Sequence, residues 1–220
     1  NSRNKLREFN LLPRSKVLMI GPPGTGKTMT ASAIAGELKL PIFKVQLDKL
    51  LTKYMGESSA KLRLIFDHIK KIRGVYFFDE FDAIGGSRDL NNDVGEIRRV
   101  LNTFLQFVEQ APNDSIILAA TNYQELLDKA LFRRFDDILE YNLPDEFLRL
   151  RLFKRMLYDL LDTNMNWNTI LKKSNKLNFD DITKICNNIH KVMVLNNKKN
   201  ISNKEVVSII EEKKYNNRNI

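Results

Sequence analysis

Apolar positions along this chain follow two rhythms. Short strand-like runs occur at Lys16–Ile20, Ile42–Val45, Val75–Phe78, Ile116–Ala120 and Asp137–Glu140. Bounded by turn residues and polar segments, they read as buried strands. Between them the spacing changes: Ala60–Ile72 and Val94–Glu109 place apolar residues three and four apart, and Thr28–Leu38 continues from the first strand as a helix. Strands alternating with helices predict an α/β layer built on a parallel sheet. After NLPD, Asn142–Asp145, the strand pattern stops. Helical patterns then cover Phe147–Leu161, Trp167–Lys173, Phe179–Leu195 and Lys204–Lys213. In the third of these, Phe179, Ile182, Ile185, Cys186, Ile189 and Met193 share one face, and Asn178 stands at the N-cap position. The predicted organisation is an α/β domain over residues 1–144 and a helical domain over residues 145–220. The last ten residues, EEKKYNNRNI, are polar and are expected to fray.

One segment breaks both rhythms. Gly21–Thr28 reads GPPGTGKT, with glycines and prolines that would disrupt a helix or a strand interior. Its spacing, G-x-x-x-x-G-K-T, lies between a strand and a helix, the context a phosphate-binding loop requires. Gly21, Pro22, Pro23, Gly24, Thr25 and Gly26 form a loop whose N–H groups can turn inward toward phosphate oxygens. Lys27 reaches the β- and γ-phosphates of a nucleotide, and the Thr28 hydroxyl is a ligand for Mg²⁺. A second chemical segment, VYFFDEFDAIGGSR, begins at Val75. Its strand ends in Asp79 and Glu80, and ligands of open α/β sheets bind at such ends. Asp79 is assigned to the magnesium shell and Glu80 to the activation of water. Asp82 is read as a structural or supporting residue. IILAATN ends a further strand in Asn122, which is either a γ-phosphate and water contact or an ordinary turn residue.

Composition narrows the classes. The chain has 220 residues, enough for a sizeable core, and no apolar run of membrane-spanning length or signal-peptide pattern. Its single cysteine, Cys186, excludes an internal disulfide and fits a reducing cytoplasm; on an apolar helix face it reads as a core residue. The net charge of +9 is spread over scattered lysines, which does not by itself indicate a specific nucleic-acid surface. The first residue is Asn1, twenty residues before the loop, so the chain has the look of a segment of a longer protein.

GPPGTGKT, FFDEFDAI, AATN and LDKALFRRFD, in this order and spacing, resemble the AAA family of ATPases over about Leu6–Lys213. The resemblance implies a five-stranded αβα sandwich with a small helical lid, ATP and Mg²⁺ as cofactors, and a ring of usually six subunits. By the same likeness Asn122 becomes a sensor of the γ-phosphate, and Arg133 and Arg134 become arginine fingers. A guanidinium offered across an interface neutralises charge growing on the transferred phosphoryl group. The alternative for these arginines is a surface salt bridge to Asp136. Family members carry an adenine-contacting segment well upstream of the loop, and here it is largely missing. Asp180 stands where the family's lid helix opens with a small residue.

TKYMGESSAKLRLIFD follows the second strand. In the family the matching aromatic–hydrophobic–Gly loop projects into the central pore and grips polypeptide, and Tyr54, Met55 and Gly56 match that pattern. The function implied is ATP-driven unfolding or remodelling of proteins by a ring, in the cytoplasm, with a separate protease or adaptor as a further partner. Two other classes are weighed: a nucleic-acid-remodelling ATPase of the initiator or clamp-loader type, and a nucleotide-dependent scaffold. The first usually lacks the aromatic loop, and intact Lys27, Asp79, Glu80 and Arg133 argue against the second. The only histidines are His68 and His190, with no H-E-x-x-H, so the chain carries no zinc-protease site.

Overall fold

A computed structural model of the chain describes residues 5, 8–9, 11–50, 56–85, 94–122, 132–158, 165–198 and 200–218. These residues fall into two compact units, one comprising Asn1–Pro22 and Lys27–Tyr141, the other Pro23–Gly26 and Asn142–Ile220.

The first unit is built on five parallel strands: β1 (Lys16–Ile20), β2 (Ile42–Gln46), β3 (Val75–Asp79), β4 (Ile116–Thr121) and β5 (Asp137–Glu140). Their spatial order is β2-β3-β4-β1-β5. Helices α1 (Lys27–Leu38), α2 (Glu57–Lys71), α3 (Asp82–Gly85) and α4 (Val94–Gln110) accompany the sheet, with a 3₁₀ turn at Asp48–Leu50. The alternation of side chains along each strand divides the apolar residues between two layers. Leu18, Ile20, Tyr76, Phe78, Ile117 and Ala119 pack with Leu62, Phe66 and Ile69 of α2 and Val100, Phe104 and Val108 of α4. Met19, Val75, Phe77, Leu118 and Ala120 face the other way, onto Ala31 and Ala35 of α1. Continuous apolar runs such as VYFF therefore make sense: both faces of β1, β3 and β4 are covered, as parallel sheets require. The edge strands β2 and β5 are more exposed, and the shorter apolar content of KVQ and DILE reflects that.

The first strand is anchored at its start as well as its end. Asp136 Oδ2 accepts from the backbone N–H groups of Ser15 (2.8 Å) and Lys16 (3.0 Å). That carboxylate therefore fixes β1 beside β5. It is not the partner that the alternative reading of Arg133 and Arg134 required.

The second unit holds α5 (Glu146–Met156), α6 (Trp167–Lys173), α7 (Phe179–Leu195) and α8 (Asn203–Arg218). Three starts are capped by side chains: Asp145 accepts from Leu148 N, Asn166 from Thr169 N, and Asn178 from Asp181 N. Such caps are each worth about 0.5–2 kcal/mol. Phe153, Ile170, Ile182, Ile185, Ile189 and Ile210 lie in the unit's core. Cys186 is buried with them, and burial pushes its thiol up to about 12, so it is an inert core residue as expected. Within this unit Asn178 Nδ2 donates to Pro23 O (3.2 Å) and Asp180 N to Gly24 O (3.2 Å).

One expectation fails here. The polar C-terminal stretch does not fray at Lys213: α8 continues to Arg218. The reason is a polar anchor invisible to hydrophobic periodicity. Asp181, buried at the start of α7, pairs with Lys213 (3.3 Å) and accepts from Asn217 Nδ2 (3.2 Å). Asp180, by contrast, is exposed and pairs with Lys184 one turn along its own helix (2.7 Å).

Candidate functional site

The glycine loop leaves the end of β1 in a conformation that side chains rarely adopt. Gly21 has φ +149°, and its N–H donates to Thr121 O (3.2 Å). A Cβ on Gly21 would stand 2.1 Å from Tyr141 O, so only glycine fits between β1 and the end of β5. Gly24 and Gly26 follow with φ +73° and +104°. Pro22 and Pro23 are exposed and Thr25 is buried. Lys27 opens α1 and is buried. Its Nζ donates to Gly21 O (2.5 Å), Pro22 O (3.0 Å) and Asn122 Oδ1 (2.9 Å). All three ammonium protons are thus used on acceptors of the loop and of the neighbouring strand end. Burial lowers the lysine's pKa, opposed by the charges of Asp79 and Asp82.

The acidic side of the site is built at the end of β3. Asp79 Oδ1 accepts from Glu80 N (3.1 Å), and Asp79 Oδ2 pairs with Lys44 of β2 (2.8 Å). Glu80 has φ +57°, a left-handed conformation uncommon for a residue with a side chain. The turn it makes sends Phe81 into the core, where Phe81 N donates to Ala120 O (2.9 Å), and leaves Glu80 exposed. The Glu80 carboxyl is raised above the usual range, first by the charge of Asp48. Some loss of hydration, a hydrogen bond with Asp48, and the charges of Asp79 and Asp82 add to this. Asp82, read from sequence as a structural or supporting residue, accepts at Oδ1 from Thr121 Oγ1 and Asn122 N, both at 3.3 Å. It holds the tip of β4, and with it Asn122, against the acidic turn.

The structure therefore brings Gly21, Lys27, Asp79, Glu80, Asp82 and Asn122 to the carboxyl ends of three adjacent strands. Thr28 is exposed on the first turn of α1, and its carbonyl accepts from Ser32 Oγ (3.2 Å). Arg133 is exposed, with no ion-pair partner among the described residues, whereas Arg134 pairs with Glu109 of α4. Tyr54 and Met55 lie outside the described residues. Gly56 is the N-cap residue of α2 at φ +83°, with nothing within 4 Å of where a Cβ would stand. Two participants were missed from sequence, Lys44 and Asp48. A lysine within the apolar run IFKVQ was the available signal for the first. Nothing local marked the second, because its nearness to Glu80 arises from the pairing of β2 with β3.

These side chains fit a nucleotide with magnesium. Among the described residues no group of three His, Cys, Asp or Glu could hold a metal by itself. Mg²⁺ bound with phosphates needs only one or two protein oxygens, and a threonine hydroxyl with a single carboxylate supplies them. Asp79 already carries a cationic partner, Lys44, so the place suits positive charge.

The sequence profile of the ATPase family associated with various cellular activities (AAA) matches residues 17–143. The chain belongs to the AAA family. Its sheet is the parallel αβα layer of that ATPase family. Among curated relatives, an AAA family ATPase of Sinorhizobium fredii is 35% identical over 205 residues, 92% of this chain and 61% of its own length. A proteasome-activating nucleotidase of Methanoregula boonei is 35% identical over 93% of this chain and 49% of its own. The ATP-dependent zinc metalloprotease FtsH of Sulfurovum is 35% identical over 89% of this chain and 30% of its own. The chain thus spans between about a third and three fifths of the length of these relatives. No helix among the described residues is long and apolar enough to cross a membrane.

Proposed function

We propose that this AAA ATPase is the motor of a ring that unfolds or remodels proteins in the cytoplasm, with Mg²⁺ as the metal of ATP hydrolysis. The observation that carries the proposal is likeness across nearly the whole chain to a proteasome-activating nucleotidase, together with Tyr54, Met55 and Gly56 in sequence directly before α2. A separate protease or an adaptor is the partner that fits a motor of this kind.

The geometry supports a division of labour. Lys27 exchanges its contacts with Gly21 O, Pro22 O and Asn122 for phosphate oxygens, which are stronger acceptors. Thr28 and Asp79 are the residues that would hold Mg²⁺, whose charge offsets that of the transferred phosphoryl group. Glu80 takes a proton from the attacking water, and the turn at its positive φ presents the carboxylate outward from β3. Asn122, fixed through Asp82, reads the γ-phosphate or that water. Arg133 or Arg134, offered to the next subunit, stabilises the transition state there. Phosphoryl transfer depends on such positioning and charge far more than on covalent help.

A tyrosine series separates threading from other uses of ATP. In the full-length protein, Tyr54→Phe keeps the apolar ring and should preserve unfolding of a tagged test protein. Tyr54→Ala should abolish unfolding while basal ATP hydrolysis stays within a few-fold. Parallel loss of thermal stability, hydrolysis and unfolding in Tyr54→Ala would assign Tyr54 to packing, at the roughly 3–5 kcal/mol that an aromatic-to-alanine cavity costs.

A further inference from the structure

Lys44 lies on β2 opposite Phe77 of β3, and Gln46 lies opposite Asp79. The two strands are parallel, so Lys44 stands two residues short of Asp79 on the same face of the sheet. Its side chain runs forward along that face. Nζ passes within 5.9 Å of the Phe77 ring centroid and ends 2.8 Å from Asp79 Oδ2. The other oxygen, Asp79 Oδ1, accepts from Glu80 N (3.1 Å). Both oxygens of the carboxylate assigned to the metal are therefore engaged by the protein itself. Asp79 is about one-fifth exposed and Lys44 about one-half, so solvent still reaches the pair.

A metal cation and an ammonium cannot both sit on that oxygen. Lys44 has a free stem of four carbons and open solvent beside it, so it can swing away without disturbing the strand. We propose that Lys44 is a positioning residue that holds the metal's place on Asp79 when no nucleotide is bound, so that loading of metal and nucleotide is an exchange of one cation for another. The lysine keeps the carboxylate turned toward the site and charge-balanced beside Glu80, Asp82 and Asp48. In return it competes with the incoming metal and raises the concentration needed to fill the site. The ring of Phe77 gives the stem a track that limits where the ammonium can go.

This rests on the reading of Asp79 as the metal-facing carboxylate, and the test distinguishes the two. Mn²⁺ binding to the protein with ADP, followed by electron paramagnetic resonance of the free ion, reports affinity without turnover. Lys44→Met keeps the stem and removes the charge. It should tighten Mn²⁺ by about two- to fivefold, the range of a half-exposed ion pair, with the gain shrinking at high salt. Lys44→Arg, which restores a cation, should stay near the wild-type value. In an Asp79→Asn background, Lys44→Met should have no effect. Unchanged or weaker Mn²⁺ binding in Lys44→Met, while Asp79→Asn alone weakens it, would overturn the exchange and leave the role of Asp79 standing. Mn²⁺ affinity unaffected by Asp79→Asn would overturn both. Thermal midpoints of each variant show that the unit remains folded.

Discussion

Replacing Gly21 with alanine tests whether the phosphate loop is fixed by the sheet beneath it. The added Cβ would stand 2.1 Å from Tyr141 O, 2.8 Å from Tyr141 Cβ and 2.9 Å from Tyr141 C. Ordinary contact is more than an ångström longer than the first of these. Relief cannot come from a rotamer, because two of the three atoms are backbone. It must come from moving the ends of β1 and β5, where Tyr141 N donates to Ile20 O (2.7 Å) and Gly21 N to Thr121 O (3.2 Å). Residue 21 also sits at φ +149°, where a side chain adds strain on the order of 1–3 kcal/mol. The overlap adds about 1–3 kcal/mol of the kind seen on overpacking. Together these predict a loss of about 2–6 kcal/mol, which lowers the thermal midpoint by roughly 5–20 °C at this chain length. Because Gly21 O is the closest acceptor of Lys27 Nζ, ATP affinity should fall about tenfold or more as the lysine's anchor moves. Gly36 is the control. It is a helical glycine of α1 with nothing within 4 Å of an added Cβ, so Gly36→Ala should gain up to about 1 kcal/mol. Differential scanning fluorimetry and titration with a fluorescent ATP analogue read both quantities. A Gly21→Ala protein with wild-type midpoint and affinity would show that the strand ends yield freely and that the argument from packing is wrong.

Two further outcomes follow from the acidic turn and the arginines. Glu80→Gln should retain ATP binding and lose about 10²–10⁴ in hydrolysis rate; a rate within threefold of wild type would remove Glu80 from the mechanism. The charge of Asp48 is the leading cause of Glu80's raised pKa, and only the deprotonated carboxylate accepts a proton from water. Hydrolysis therefore falls as pH drops through the Glu80 pKa, and Asp48→Asn should move that acid limb to lower pH; an unmoved limb in the pH–rate profile would disprove the coupling. Arg134 is held by Glu109 while Arg133 is exposed and lacks a described partner, so Arg133→Ala should cost more activity than Arg134→Ala in assembled protein. Losses of about 10³-fold or more mark a finger, and the reverse ranking in a concentration-dependent ATPase assay would exchange the two roles.

Much of this protein is determined locally. The runs VLMI, VYFF and IILAA are apolar on successive residues, which suits only strands covered on both faces, and that alone points to a parallel sheet. GPPGTGKT declares a loop because its glycines need backbone angles that other residues avoid, and Gly21 and Lys27 sit where that spacing places them. The caps at Asp145, Asn166 and Asn178 are equally local, since a cap answers to the three residues after it.

What the sequence did not reveal depends on which strands become neighbours. β4 lies between β1 and β3, although about a hundred residues separate it from β1 along the chain. Only that insertion lets Asn122 meet Lys27 on one side and Asp82 on the other. Lys44 meets Asp79, and Asp48 meets Glu80, because β2 pairs with β3 in a register that periodicity cannot convey. The anchoring of α8 by Asp181 has the same origin, a polar contact across 36 positions where the sequence shows only a polar tail. Apolar pattern and backbone angle act on neighbours in sequence and can be read there. Charge and hydrogen bonding act on neighbours in space, and in this chain they are decided when the strands take their order.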